Sequence, residues 1–251
     1  MSNMLSWCRW FRLALVLVVC VPVLRPAVAH ADPAVDGAWG APVNFPLVPV
    51  HATVLPNGKV LFWPRHGGAT IEAYVWDPVS NTFAAVFNGH TNLFCSGHTL
   101  LADGRVLVTG GHHLENDHGE PHTNFFDYHA NAWAAGPDMV GGRWYPTTIV
   151  LQNGDVLTAS GGDLNGSLNP LPEVWSELGN VWRSLTAAQF PLPYYPWLFT
   201  APRGQVFYAG PEQQSQFFGT TSLGQRTLGP QSSELFRSYG SPVMYDAADE
   251  A

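Results

Sequence analysis

The sequence predicts an all-β chain, a kelch-type β-propeller that is incomplete, and three observations predict it. Four segments share one pattern of apolar strand, glycine turn and apolar strand; their turn glycines recur at intervals of 46 to 50 residues; and the composition suits short strands joined by tight turns. With 25 Gly, 21 Pro and 10 Trp against 12% charged residues, the chain has no disordered or helical signature.

The N-terminal element is read first because it sets the compartment. Residues 1–31 carry Arg9 and Arg12, the apolar run "LALVLVVCVPVL" (13–24), and "AVAHA" ending at Ala31. This is the order of a secretory signal, with Ala29 and Ala31 forming the small-residue site, and cleavage is expected after Ala31. A buried helix is the other reading, but Arg25 and Pro26 interrupt it. The mature chain, 32–251, is expected to be secreted, extracellular or periplasmic. No later run is long and apolar enough to span a bilayer as a helix.

Removing Arg9, Arg12 and Arg25 leaves 8 Lys+Arg against 19 Asp+Glu, a net charge of −11, with Lys59 the one lysine. Such a chain repels phosphate backbones, so nucleic acid is not an expected partner.

The repeats then settle the architecture. "HATVLPNGKVLFW", "GHTLLADGRVLVTGG", "PTTIVLQNGDVLTASGG" and "PWLFTAPRGQVFYAG" centre on Gly58, Gly104, Gly154 and Gly204, spaced by 46, 50 and 50. The second half of each unit repeats as well: "WDPVSNTF", "FDYHANAW" and "WSELGNVW" end in Phe83, Trp133 and Trp182, spaced by 50 and 49. Two hairpins per unit of about 50 residues is the period of a kelch-type blade. Asn-Gly and Asp-Gly suggest two-residue connections, and the aromatic closing the third strand is expected to pack between blades. A β-sandwich also has short strands, but it does not repeat its sequence at this interval.

The repeats fall near 45–90, 91–139, 140–190 and 191–236, with the start of a fifth at 237–251. The outer half of the fourth, "SQFFGTTSLGQRTLG", departs from the pattern. The count is about four and a half blades of about seven expected. A truncated product or fragment with an exposed blade edge is the simplest expectation.

Register singles out two residues. Cys95 lies nine residues before Gly104, and Tyr145 nine before Gly154. In a propeller the first strand of each blade runs nearest the axis, so this places a thiol and a phenol at one height on neighbouring blades. Packing alone is one reading of such a pair.

A family resemblance gives the other. "LFCSG" with Cys95, "VLVTGG" behind it, "GPDM" (136–139), "GRWYP" with Tyr145, "VFYAGP" (206–211) and "YGSPVMYDA" (239–247) resemble, in order, segments of the copper radical oxidases typified by galactose oxidase and glyoxal oxidase. The Arg-Trp-Tyr-Pro form looks closer to glyoxal oxidase and its bacterial relatives. The resemblance covers roughly residues 45–247.

It implies that Cys95 and Tyr145 are joined by a thioether and that Tyr145 is an equatorial copper ligand. The implied chemistry needs both parts: an alcohol or aldehyde loses two electrons, copper holds one, and a tyrosyl radical stores the other. The thioether donates electron density to the ring, and O2 returns the electrons as H2O2. Small alcohols or aldehydes and O2 are the implied partners. A secreted propeller that serves only as a binding scaffold is the alternative.

Departures from the family pattern carry their own expectations. The remaining family ligands, a second Tyr followed by His and a further His, are implied to come from later blades and a C-terminal domain, and no histidine follows His129. As given, the chain is therefore expected not to hold copper in the family geometry. The aromatic that stacks on the cross-link in galactose oxidase falls near Leu164, and "FPLPYYPW" offers no sugar-binding arginine. Both argue against galactose as substrate.

Two other features are noted. "GGHHLENDHGEPH" gathers His112, His113, Glu115, Asp117, His118, Glu120 and His122 without a defined ligand spacing, so a solvated loop is expected. His51, His66, His90 and His98 lie near strand or turn ends, where hydrogen bonding to backbone is the default. "NGS" at Asn165 is a formal glycosylation acceptor in a eukaryotic host.

Overall fold

The computed structural model describes residues 33–65, 73–113, 118–237 and 240–244, and the chain divides into units 1–42 and 43–251. The proposed signal segment, His66, Glu115, Asp117 and most of the proposed fifth repeat lie outside the described residues. In the first unit the described part holds one helical turn, Pro33–Asp36. Among the described residues no helix is long and apolar enough to cross a membrane.

The second unit is all-β, as the repeats require: four antiparallel sheets of four strands, each sheet in chain order. The first contains β1 (His51–Val54), β2 (Val60–Trp63), β3 (Tyr74–Asp77) and β4 (Thr82–Ala85). The second contains β5 (Gly97–Leu100), β6 (Val106–Thr109), β7 (Thr123–Asp127) and β8 (Ala132–Ala135). The third contains β9 (Thr147–Val150), β10 (Val156–Ala159), β11 (Glu173–Ser176) and β12 (Val181–Ser184). The fourth contains β13 (Trp197–Thr200), β14 (Gln205–Gly210), β15 (Glu212–Gly219) and β16 (Gln225–Phe236). First strands of successive sheets adjoin, β5 beside β9 and β9 beside β13. The arrangement is propeller-like.

The turns differ from the two-residue connections expected. Gly58 N–H donates to the Leu55 carbonyl at 2.9 Å, and Leu55 N–H to the Lys59 carbonyl at 2.8 Å. Three residues therefore make the connection, with Gly58 alone in the left-handed region at φ 79. Pro56 is the physical reason in the first sheet, since its ring holds φ negative where a type I′ turn needs it positive. Gly104 and Gly154 repeat the pattern at φ 86 and 89. In the fourth sheet Pro202–Gly204 is a 3-10 turn in which both Arg203 and Gly204 take positive φ.

Two more expectations are corrected. Phe83, Trp133 and Trp182 lie on β4, β8 and β12, the fourth strands rather than the third. The tryptophans do bridge blades: Trp133 Nε1–H donates to Val86 O at 3.2 Å, and Trp182 Nε1–H to Thr123 Oγ1 and Pro137 O, each at 3.0 Å. The outer half of the fourth repeat is a long hairpin, β15 and β16, so that blade has its full set of strands. Residues 237 and 240–244 form no strand.

The core lies between consecutive sheets. Trp63, Val75, Val106, Val108 and Phe126 fill the first interface; Leu107, Phe125, Val156 and Trp175 the second; Leu157, Val174, Leu198, Val206 and Phe218 the third. Each such side chain contributes about 1.5–3 kcal/mol by leaving water. Three buried threonines pair with one another: Thr109 and Thr148 hydroxyls meet at 2.6 Å, and Thr158 joins both at 3.2 and 3.1 Å.

Candidate functional site

The residues singled out by register meet at the lead-in to the first strands. Cys95 (φ 60) precedes β5 and Tyr145 (φ 66) precedes β9, both in the left-handed region that non-glycine residues enter at a cost of about 1–3 kcal/mol. Tyr145 N–H donates to the Cys95 carbonyl at 2.7 Å, which ties the two blades together at this point. On its other side, Cys95 N–H donates to His51 Nε2 at 3.0 Å. The turn carrying Cys95 is fixed by the Leu93 carbonyl, which accepts from Ser96 Oγ at 2.7 Å and from Trp63 Nε1 at 2.9 Å.

Both side chains line one cavity of ≈ 410 Å³, together with His51, Phe94, His98 and Tyr195. Cys95 is buried, with 1% of its surface exposed. Burial, and after it the neighbouring His98, lowers the His51 pKa to about 4. His98 is also lowered, by burial, although it hydrogen-bonds the Ala52 backbone. Near neutral pH both imidazoles are therefore uncharged, and His51 serves as an acceptor. This agrees with the backbone hydrogen bonding expected of histidines at strand ends.

An aromatic cluster surrounds Tyr145. Trp144 lies at a centroid distance of 4.1 Å, Tyr195 at 4.8 Å and Tyr194 at 5.5 Å. Leu164 is 49% exposed and does not line the cavity. The aromatic absent at Leu164 is thus matched by others that reach Tyr145 from its own strand and from the next blade. None of Trp144, Tyr194 or Tyr195 was singled out from the sequence, although Tyr195 lies nine residues before Gly204 and so shares the register of Cys95 and Tyr145.

Beneath this cluster lies an ion pair with no exposed surface. Arg143, two residues before Tyr145, donates from Nη2 to Glu173 Oε2 at 2.8 Å and to the Leu171 carbonyl, and from Nη1 to the Ser160 carbonyl at 2.9 Å. Glu173 Oε1 accepts from Val140 N–H at 2.9 Å. Burial lowers the arginine pKa, and the Glu173 carboxylate opposes that shift. The segment 140–145 is thus held from both ends. Gly142 permits this packing: a Cβ there would lie 1.9 Å from the Gly119 carbonyl oxygen.

Comparison with known proteins bears on what such a cavity belongs to. No family model matches the chain. Over 240 residues, 84% of its length, it is 28% identical to galactose oxidase of Gibberella zeae. The chain is a galactose oxidase homologue. It covers 34% of that protein, so it spans about a third of the length of this relative. A WSC domain-containing protein of Arthroderma benhamiae is 32% identical over 184 residues, which are 65% of this chain and 20% of that protein. A fungal alcohol oxidase of the AA5 family, solved in complex with copper, superposes with a TM-score of 0.67 at 24% identity, over 78% of this chain and 44% of that one. That likeness establishes the shared fold. Together the comparisons support the copper radical oxidase family.

The donors present in this galactose oxidase homologue match that family's metal only in part. Tyr145 offers a phenol to the cavity, but His51 already accepts from Cys95 N–H, and among the described residues no three His, Cys, Asp or Glu groups are placed to hold a metal ion. The described residues supply one ligand of the implied copper set, Tyr145, and not the imidazole pair.

The described parts of the histidine-rich segment, 111–113 and 118–122, form a strap held by backbone bridges rather than a solvated loop. His112 bridges to Gly119 and Glu120 to Arg143, and Gly119 N–H donates to the Asp163 carbonyl at 3.0 Å, which anchors the strap to the next blade. Its side chains pair among themselves: His122 Nδ1 lies 2.8 Å from Asp138 Oδ1 and its Nε2 3.5 Å from Glu120, while His113 lies 3.9 Å from Glu120. His113 N–H donates to the His118 carbonyl at 2.9 Å. Asn165 sits in an exposed turn whose backbone N–H donates to Asp163 Oδ1 at 2.8 Å.

Proposed function

We propose that this chain is the kelch-type propeller of a secreted copper radical oxidase, in which Cys95 and Tyr145 become a thioether-linked radical cofactor. The observation that carries the reading is the placement of both side chains on one cavity, with their backbones joined by the 2.7 Å bond from Tyr145 N–H to Cys95 O. Homology to galactose oxidase supports it. The signal segment 1–31 is removed after Ala31 on export. The substrate is a small alcohol or aldehyde, oxidised with O2 to aldehyde or acid plus H2O2.

Each residue has a part that follows from its surroundings. Tyr145 is the copper ligand and, once linked, the one-electron store. Copper, when bound, supplies the second one-electron centre that a two-electron oxidation requires. Cys95 supplies the sulfur, and His51 holds the Cys95 backbone in its left-handed conformation. Phe94 and the Tyr195 ring give the cavity apolar walls, and Trp144 packs against the Tyr145 ring, which together keep water from a reactive phenol.

The chain by itself, without the imidazole pair, is expected to be inactive, so the test is peroxide release, with a panel of small alcohols and aldehydes, from copper-loaded protein in which this chain is extended to the length of its galactose oxidase relative. Release that is lost in both Cys95→Ser and Tyr145→Phe is expected. No release from the wild type leaves the binding-scaffold reading in which the pair is core packing, and release that survives both substitutions refutes the assignment of the chemistry to Cys95 and Tyr145.

A further inference from the structure

We propose that Tyr195 is a positioning residue of the same site: its hydroxyl, bonded across the cavity to the Ser96 carbonyl, locks the turn that carries Cys95 against the blade that carries Tyr145. Its purpose rests on the cofactor reading of Cys95 and Tyr145; the lock itself does not.

Four observations converge on Tyr195. It occupies the third register position, nine residues before Gly204, as Cys95 and Tyr145 do before Gly104 and Gly154. It shares their left-handed backbone, at φ 46 beside 60 and 66. It extends their chain of backbone bonds: Tyr145 N–H donates to Cys95 O at 2.7 Å, and Tyr195 N–H to Tyr145 O at 2.9 Å. Finally it closes the circuit, since Tyr195 Oη–H donates to Ser96 O at 3.3 Å, back on the first blade of the series. Three residues in a conformation that costs free energy at each are thereby held by a closed loop of three hydrogen bonds, which the bond from Cys95 N–H to His51 at 3.0 Å anchors from outside.

The phenol suits this use. Tyr195 keeps 38% of its surface in solvent, but its hydroxyl end sits with Cys95, Tyr145 and Ser96. Thr147 Oγ1 donates to the Pro196 carbonyl at 2.7 Å, which fixes the next residue of the same segment and limits the freedom of Tyr195 to turn away.

The lock would matter at the step that makes the cofactor. There the thiol S–H and a ring C–H of Tyr145 are broken, one S–C bond forms, and two protons and two electrons leave to O2 as H2O2. The reaction needs sulfur and ring carbon held together, and small displacements slow such steps.

The experiment uses the full chain purified without copper, as wild type, Tyr195→Phe and Tyr195→Leu. The rate of Cys95 alkylation by iodoacetamide is followed by mass, and thioether yield is followed after addition of Cu(II) in air. Because a bond of 3.3 Å is long, the Phe variant is expected to alkylate only about two- to fivefold faster than wild type, with Tm unchanged. The Leu variant, which also loses the ring, is expected to alkylate faster still and to form the thioether more slowly than either. Alkylation of the Phe variant at the wild-type rate would overturn the lock, as would wild-type rates of thioether formation in both variants. If wild type forms no thioether while the Phe variant still alkylates faster, the cofactor reading fails and the lock stands.

Discussion

Replacing Glu173 by Gln removes the charge that compensates Arg143 while keeping shape, and the structure sets the size of the effect. Neither residue of the pair has exposed surface, and Glu173 receives hydrogen bonds at both oxygens, from Arg143 at 2.8 Å and Val140 N–H at 2.9 Å. A glutamine offers one acceptor oxygen, so its NH2 must face either the guanidinium or the Val140 N–H, donor against donor. Breaking a buried pair on one side costs about 3–5 kcal/mol, because a charge is left uncompensated. At about 2–4 °C per kcal/mol for a unit of this size, Tm falls by about 10 °C. The double variant Arg143→Met with Glu173→Leu removes both charges and recovers about half of the loss. It does not recover all, because the Ser160 and Leu171 carbonyls and the Val140 N–H lose their partners. Differential scanning calorimetry of the three proteins decides the matter. A Glu173→Gln melt within 2 °C of wild type, or a double variant less stable than Glu173→Gln, would refute the reasoning.

Two further outcomes are expected together. His51 titrates near 4 in the folded chain against 6.5 unfolded, so its contribution to stability is complete above pH 6.5 and is lost as pH falls toward 4, up to about 3 kcal/mol. Tm measured across that range should fall with pH, and His51→Gln, which keeps an acceptor for Cys95 N–H but does not titrate, should flatten the slope and leave only the His98 part. An equal slope in both proteins would contradict the assignment. Gly142→Ala places a Cβ 1.9 Å from the Gly119 carbonyl oxygen, a backbone atom that cannot swing aside, and should cost at least about 2 kcal/mol in denaturant unfolding. A midpoint equal to wild type would show that the strap and the segment before Tyr145 are not packed as described.

What the sequence made legible follows from periodicity. The turn glycines could be read because each must take positive φ, and the four sheets follow the same interval. The pairing of Cys95 with Tyr145 could be read because register survives the folding of each blade as a unit. The same arithmetic points to Tyr195, which no family segment in "FPLPYYPW" marks. Arg143 and Glu173 were not legible: they are 30 residues apart on different elements, and no local pattern marks a buried pair. The hairpin of β15 and β16 was hidden because its turn lacks the Asn-x-aromatic ending of the other blades and carries Ser222 and Gly224 in the positive-φ positions instead. The strap's described parts, 111–113 and 118–120, escaped because their order comes from backbone bonds to Arg143 and Asp163, which polar composition does not reveal.

The central claim, that Cys95 and Tyr145 form one cofactor, is tested most directly by tandem mass spectrometry of proteolysed protein after exposure to Cu(II) and air. The account predicts a single branched peptide containing both residues, lighter by two hydrogens than the sum of its parts, and absent from Cys95→Ser. Recovery of an alkylatable Cys95 peptide beside an unmodified Tyr145 peptide would contradict it.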